Sequence, residues 1–190
     1  MTKIIIIAGS TRPGRFNMQP AQWFYSIAKD HPGIEVELVD LADINLPLLD
    51  EPVPASQNQY SKDHTKAWSK IVGSADGFVV VTPEYNHSMP AALKNAFDYL
   101  YTEWSFKPIS FVSYGALAGG ARAVEHLRGV AGQLNMFDIR DQILFPNYWE
   151  HLNEKGEYQF NERHAESAKA MIKTVAFWAE KMKEARKDIK

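Results

Sequence analysis

The sequence predicts a doubly wound α/β fold, a parallel sheet covered by helices on both faces. Three observations carry that expectation. Short strand-like and helix-like segments alternate along the 190 residues, the pattern of a parallel sheet built from crossover units. Two strand segments, Lys3 to Ala8 and Gly77 to Thr82, are apolar runs, as central parallel strands buried on both faces must be. Polar loops containing glycine or proline follow those two strands, at the carboxyl edge where open α/β sheets bind ligands.

Each element is read from its local pattern. The strands are placed at Lys3 to Ala8, Ile34 to Val39, Gly77 to Thr82, Ile109 to Ser113 and Asp138 to Leu144. Phe24, Ile27 and Ala28 set one face of a first helix. A second is expected over Tyr60 to Val72, with Ala67, Ile71 and Val72 turned inward. The third starts near Pro90, a residue favoured in the first helical turn. The fourth follows Gly119-Gly120, with Val124, Leu127, Ala131 and Leu134 spaced three and four apart. Ala165, Ala168, Ile172, Val175, Ala179 and Met182 give the last helix an apolar stripe between charged positions. Leu41 to Gln59 and Asn147 to Tyr158 break the alternation. Loops of that length serve as lids or interaction surfaces, or simply cross the surface. Five strands suit the flavodoxin-like order 2-1-3-4-5, and no linker or repeat divides the chain, so residues 1–190 are expected to form a single domain.

Composition narrows the function. A hydrophobic fraction of 45% and a charged fraction of 23% are ordinary for a globular protein. The net charge of -2, without a basic stripe, argues against nucleic acid as a partner. Cysteine is absent, which excludes disulfides, thiolate nucleophiles and Cys-ligated metal centres. The apolar segment Lys3 to Ile7 is too short to span a membrane, and no cleavage-site pattern follows it, so a cytoplasmic protein is expected. Five Trp, eight Tyr and ten Phe either line a flat-ligand pocket or a subunit interface, or belong to the core and half-buried surface.

Three loops carry the candidate site. Gly9 to Gly14 has the spacing of a nucleotide-binding loop, but Arg15 and Phe16 replace the Lys and Ser/Thr that hold phosphate and Mg²⁺, so ATP or GTP hydrolysis is not expected. Ser10, Thr11 and Asn17 still offer side-chain donors, Arg12 and Arg15 offer charge, and backbone N–H groups converge at the helix start, a setting for an anion. An ordinary turn with solvated arginines has the same composition. The second loop, Pro83-Glu84-Tyr85-Asn86, combines backbone amides, an amide side chain and an aromatic ring, which suits a flat heterocycle. Glu84 is otherwise a solvated carboxylate or a helix N-terminal charge partner, Tyr85 a half-buried aromatic and Asn86 a turn former. His87 has no visible partner and is given no role. In the third loop, Ser113 to Arg122, Gly115, Gly119 and Gly120 permit close backbone approach to a ligand, or form a flexible turn.

Gly9-Ser10-Thr11-Arg12 with Asn17, Pro83-Glu84-Tyr85-Asn86 with Ser88 and Pro90, and Ser113-Tyr114-Gly115 with Gly119-Gly120 together resemble the NADPH-dependent FMN reductase family, which includes quinone, chromate and azo-dye reductases. The resemblance covers nearly the whole chain. It implies a flavodoxin-like three-layer sandwich and FMN bound without covalent attachment. Ser10, Arg12, Arg15 and Asn17 would hold the FMN phosphate, although many relatives carry Ser or Cys around Arg15 and Asn17. Pro83, Glu84, Tyr85 and Asn86 would meet the isoalloxazine, largely through backbone groups, and Ser113, Tyr114 and Gly115 would flank its remaining side. Dimers or dimers of dimers are implied, with Tyr101, Trp104 and Phe106 as candidate wall residues.

The expected function is therefore an NAD(P)H-dependent FMN reductase. NADPH or NADH reduces the flavin, and a quinone, free flavin, azo dye, nitro compound or metal oxyanion then takes the electrons, by ping-pong kinetics. No side chain is assigned as a catalytic acid or base, and no metal is expected. A flavodoxin-type electron carrier and an FMN-based redox-sensing module are the alternatives, separated from the enzyme by turnover with NADPH in the absence of a protein partner.

Overall fold

The computed structural model describes residues 1–189. β1 (Thr2–Ala8), β2 (Ile34–Asp40), β3 (Gly77–Pro83), β4 (Pro108–Gly115) and β5 (Phe137–Pro146) form one sheet in the order β2-β1-β3-β4-β5. All four pairings are parallel. The helices are α1 (Met18–Ala28), the single turn α2 (Leu41–Ile44), α3 (Asp63–Ser74), α4 (Ala91–Asp98), α5 (Ala121–Gln133) and α6 (Glu162–Ala185).

Successive side chains of a strand point to opposite faces, and that alternation builds two cores. Ile5, Ile7, Phe78, Val80 and Phe111 face Trp68, Leu93, Phe97, Val124 and Leu127 of α3, α4 and α5. Ile4, Ile6, Val79, Val81 and Val112 face Phe24 of α1 and Ala168, Ile172 and Val175 of α6. Every residue of β3 and β4 is buried, which puts the carboxyl ends of the two central strands in the middle of the sheet edge.

The helix faces depart from expectation at particular positions. α3 begins at Asp63 rather than Tyr60 and buries Thr65, Trp68 and Val72, while Ala67 is exposed. The bulk of Trp68 sets the inward direction and turns Ala67 to solvent. In α6 the stripe widens to include Met171 and Ala176, with Ala165 and Met182 at its margins. The two long stretches are tied down. The amide of Asn95 on α4 donates to Pro47 O at 2.7 Å and accepts from Leu49 N at 2.9 Å. Tyr148 and Tyr158 pack on Phe16 at the start of α1.

At the opposite end of the sheet Lys107 is buried, and its ammonium donates to Val72 O at 2.9 Å, a carbonyl in the last turn of α3 that also accepts from Ala75 N at 3.1 Å. Burial, with Arg186 nearby, lowers its pKa to about 8. Below pH 8 the folded and unfolded chains both hold this proton. Between about 8 and the ordinary lysine value of 10.5 the unfolded chain holds more of it, so stability rises with pH, by at most ~1.4 kcal/mol per pH unit. Tyr99, raised to about 12 by burial and by donation to Asp50, acts in the opposite sense above its ordinary value of 10, so the clean window is pH 8 to 10. Urea unfolding across that window is expected to show the rise in the natural protein and a flatter profile in Lys107→Met. Equal slopes would mean that the ammonium is solvated.

Candidate functional site

The loop after β1 is shaped by Asn17. Its side-chain oxygen accepts from Ser10 N at 3.3 Å, and its amide donates to Val81 O on the neighbouring strand at 3.0 Å. Both functions of this fully buried amide are used to hold the loop against β3. Ser10 is also buried, and its hydroxyl lies 2.9 Å from the Tyr85 hydroxyl and accepts from Arg12 N at 3.4 Å. The two arginines separate. Arg15 pairs with Asp40 at the end of β2, with both side chains largely buried. Arg12 is exposed, lies 6.0 Å from the centre of the Tyr85 ring, and has no carboxylate partner among the described residues. The first turn of α1 carries no acidic residue, so Arg12 stands beside a helix N-terminus free to meet an anion.

The loop after β3 is a tight hairpin. Tyr85 and Ser88 exchange backbone hydrogen bonds of 2.9 and 3.1 Å around Asn86 and His87, whose φ angles are 49° and 74°. Two consecutive left-handed residues make the two-residue reversal for which asparagine is suited. Glu84 N donates to Tyr114 O at 3.1 Å. The buried carboxylate of Glu84 pairs with the Arg122 guanidinium and accepts from Arg122 N at 3.2 Å, at the start of α5.

The loop after β4 folds back on its own strand. The buried Ser113 hydroxyl donates to Gly119 O at 2.9 Å and accepts from the Gln142 amide at 3.2 Å. A Cβ on Gly120, at φ 88°, would lie 2.7 Å from the Cβ of Ser113 and 2.9 Å from Tyr114 N. Only glycine combines that backbone angle with that approach.

These loops enclose a cleft of about 260 Å³ lined by Arg12, Phe16, Pro83, Glu84, Tyr85, Tyr114, Gly115, Ala116, Tyr148 and Trp149. Of the residues expected at a site, Arg12, Pro83, Glu84, Tyr85, Tyr114 and Gly115 line it. Ser10 reaches it through Tyr85, whereas Asn17 and Ser113 are turned inward to brace the loops. Arg15 points to Asp40, and Asn86 sits at the hairpin tip. Tyr114 is 3% exposed, with its ring set edge-on to Phe16 at 5.0 Å and to Tyr148 at 5.3 Å. Its hydroxyl is buried without a hydrogen-bond partner among the described residues, and burial, with Tyr85 close by, raises its pKa above the ordinary tyrosine value.

Phe16, Tyr148 and Trp149 were not singled out in sequence. The one signal for the last two was the polar, aromatic character of Asn147 to Tyr158. Conversely, Trp104, expected as a wall, is 1% exposed in the core among Trp68, Phe78 and Phe97. Phe106 lies at the far end of the sheet, where its N–H donates to Asn135 O. Tyr101 borders a separate hollow of about 530 Å³ between Pro54–Ser56, α4 and α5, which shares no residue with the cleft. That hollow is larger, but the free arginine and the unpartnered phenol are at the cleft.

The donor set suits a flat, phosphorylated heterocycle, with a guanidinium that has no carboxylate partner among the described residues, the phenols of Tyr85 and Tyr114, and the aromatic rings of Phe16, Tyr148 and Trp149 lining one cleft. Comparisons with known proteins agree with that chemistry. The family model for NADPH-dependent FMN reductases matches residues 2–150. An NAD(P)H-dependent FMN reductase of Schizosaccharomyces pombe is 46% identical over 136 residues, which cover 70% of this chain and 68% of that protein. A quinone reductase of Escherichia coli is 35% identical over 133 residues, covering 67% of this chain and 68% of that one. Among solved structures, a flavoenzyme NAD(P)H:(acceptor) oxidoreductase from Paracoccus denitrificans superimposes with a TM-score of 0.73 over 96% of this chain and 99% of that chain. At 20% identity it shares the fold.

Proposed function

This chain belongs to the NADPH-dependent FMN reductase family, and we propose that it binds FMN in the cleft and uses it to pass electrons from NADPH or NADH to a small acceptor. FMN, when bound, supplies the capacity to take a hydride from a nicotinamide and return the electrons to a second substrate. The residues of the chain bind, orient and shield. Arg12 and the Tyr85 hydroxyl, which Ser10 holds at 2.9 Å, meet the phosphate at the head of α1, and the hairpin from Pro83 to Asn86 presents backbone to the ring. Gly115 and Ala116, beside that hairpin at the end of β4, line the same cleft. Phe16, Tyr148 and Trp149 keep water from one side, and the Glu84–Arg122 pair holds the β3 and β4 loops in register. No side chain of the cleft is required to donate or take a proton in hydride transfer.

The observation that carries this function is Arg12, a cation left without a carboxylate partner among the described residues, in an aromatic cleft of a chain of this family. Quinones, free flavins, azo dyes, nitro compounds and metal oxyanions are the acceptor class, and residues 1–190 act as one FMN-binding domain. A homodimer or homotetramer in the cytoplasm belongs to the same proposal and rests on the family. Light scattering counts the copies. No described helix is long and apolar enough to cross a membrane.

Reconstitution with FMN, desalting and anaerobic addition of NADPH test the function directly. Flavin absorbance is expected to persist through desalting and to bleach with NADPH. Retained bands that resist NADPH would point to an electron carrier, and loss of all flavin would overturn the site. Because one open face serves donor and acceptor in turn, initial rates at varied acceptor should give parallel double-reciprocal lines. Intersecting lines would mean that both substrates bind together.

A further inference from the structure

We propose that Tyr114 reads the phosphate of the flavin, its hydroxyl donating to a phosphate oxygen, so that the site selects the phosphorylated cofactor over unphosphorylated riboflavin. The inference rests on the proposed FMN site and differs from the ring-flanking role that sequence resemblance implies for this residue. Its first support is what the Tyr114 ring has already spent. Phe16 and Tyr148 stand edge-on to it at 5.0 and 5.3 Å, and 3% of the residue is exposed. Little of the ring is left for a heterocycle to stack on.

What remains free is the hydroxyl, buried and without a partner among the described residues. A buried phenol that donates to nothing costs free energy comparable to a lost hydrogen bond, so the position makes sense when a ligand supplies the acceptor. The amide of Asn17 lies close to the phenol, and it already accepts from Ser10 N and donates to Val81 O.

The neighbourhood of that hydroxyl is the anion end of the cleft. Arg12, Tyr85 and Tyr148 share the cleft wall with it. Tyr85 joins Ser10 through a 2.9 Å hydroxyl contact, and Arg12 N is hydrogen-bonded to Ser10 Oγ. Glu84, the carboxylate that lines the cleft, is occupied by Arg122. Burial holds the phenol protonated, so it serves as a donor. A dianionic phosphate, with its acceptor oxygens, matches two hydroxyls, a guanidinium and a helix N-terminus better than a neutral ring edge does.

The experiment compares FMN and riboflavin binding to the natural protein and to Tyr114→Phe, each titrated by quenching of flavin fluorescence. Phenylalanine keeps the packing against Phe16 and Tyr148, and a melting curve of each protein confirms the fold. FMN affinity is expected to fall roughly threefold to tenfold, the range of one lost hydrogen bond, with riboflavin affinity unchanged. Equal losses for both flavins would return Tyr114 to the ring, and no change in either would remove it from the site; both results overturn the proposal. Inorganic phosphate, titrated alone and followed by thermal stabilisation, separates this proposal from the flavin assignment. Phosphate that stabilises the natural protein but not Tyr114→Phe, in a protein that binds no flavin, would sustain Tyr114 as a phosphate reader and remove FMN. Phosphate that stabilises both equally, or neither, in such a protein would remove both.

Discussion

Trp104→Ala is expected to lower stability by about 3–5 kcal/mol, the range for removing a large buried aromatic side chain. At the 2–4 °C per kcal/mol typical of a chain this long, the melting temperature should fall by roughly 6–20 °C. Trp104 is 1% exposed, its ring lies 4.7 Å from that of Phe97 and 4.9 Å from that of Phe78, and its Nε1–H donates to Phe97 O at 3.3 Å. Alanine would leave a cavity under β3 and α4 and deprive that carbonyl of the indole donor. Thermal or urea unfolding of the variant reads the effect. A shift below about 2 °C, under 1 kcal/mol on the same scale, accompanied by a loss of flavin affinity, would restore Trp104 to the wall of a binding site.

Arg12→Ala is expected to act on the ligand and not on the fold. The side chain is exposed, so its removal should change stability by no more than about 0.5 kcal/mol. The lost contact to a phosphate is charge-assisted and worth about 1.5–3 kcal/mol, which makes FMN affinity fall by roughly tenfold to a hundredfold or slightly more. Fluorescence titration with FMN measures it. An unchanged affinity would show that the phosphate lies elsewhere, and a fall in riboflavin affinity of the same size would show that Arg12 acts on the ring.

These variants mark the line between local and long-range information. Trp104 and Arg12 both occur in segments with an evident binding signature, an aromatic cluster and a glycine-bearing loop. Nothing in their immediate sequence distinguishes the core tryptophan from a wall residue, or the free Arg12 from Arg15, three positions along. The difference is made by Asp40, which ends a strand paired alongside β1 and so lies within reach of Arg15.

The strands, the five longer helices, the strand order expected of five parallel strands and the loops that carry the site were determined by the sequence itself, whereas the single turn α2 falls in a stretch read as loop. Those features follow from side-chain period, apolar runs and the backbone preferences of Gly and Pro, all properties of a few adjacent residues. The tertiary structure alone decided which side chains were spent. It committed Asn17 to Val81, 64 residues away, and Glu84 to Arg122, 38 away. It also brought Tyr148 and Trp149 to the cleft and left the Tyr114 hydroxyl without a partner. A hydrogen bond or ion pair needs two groups at contact distance, and for residues this far apart in the chain that distance is set by sheet order and loop closure.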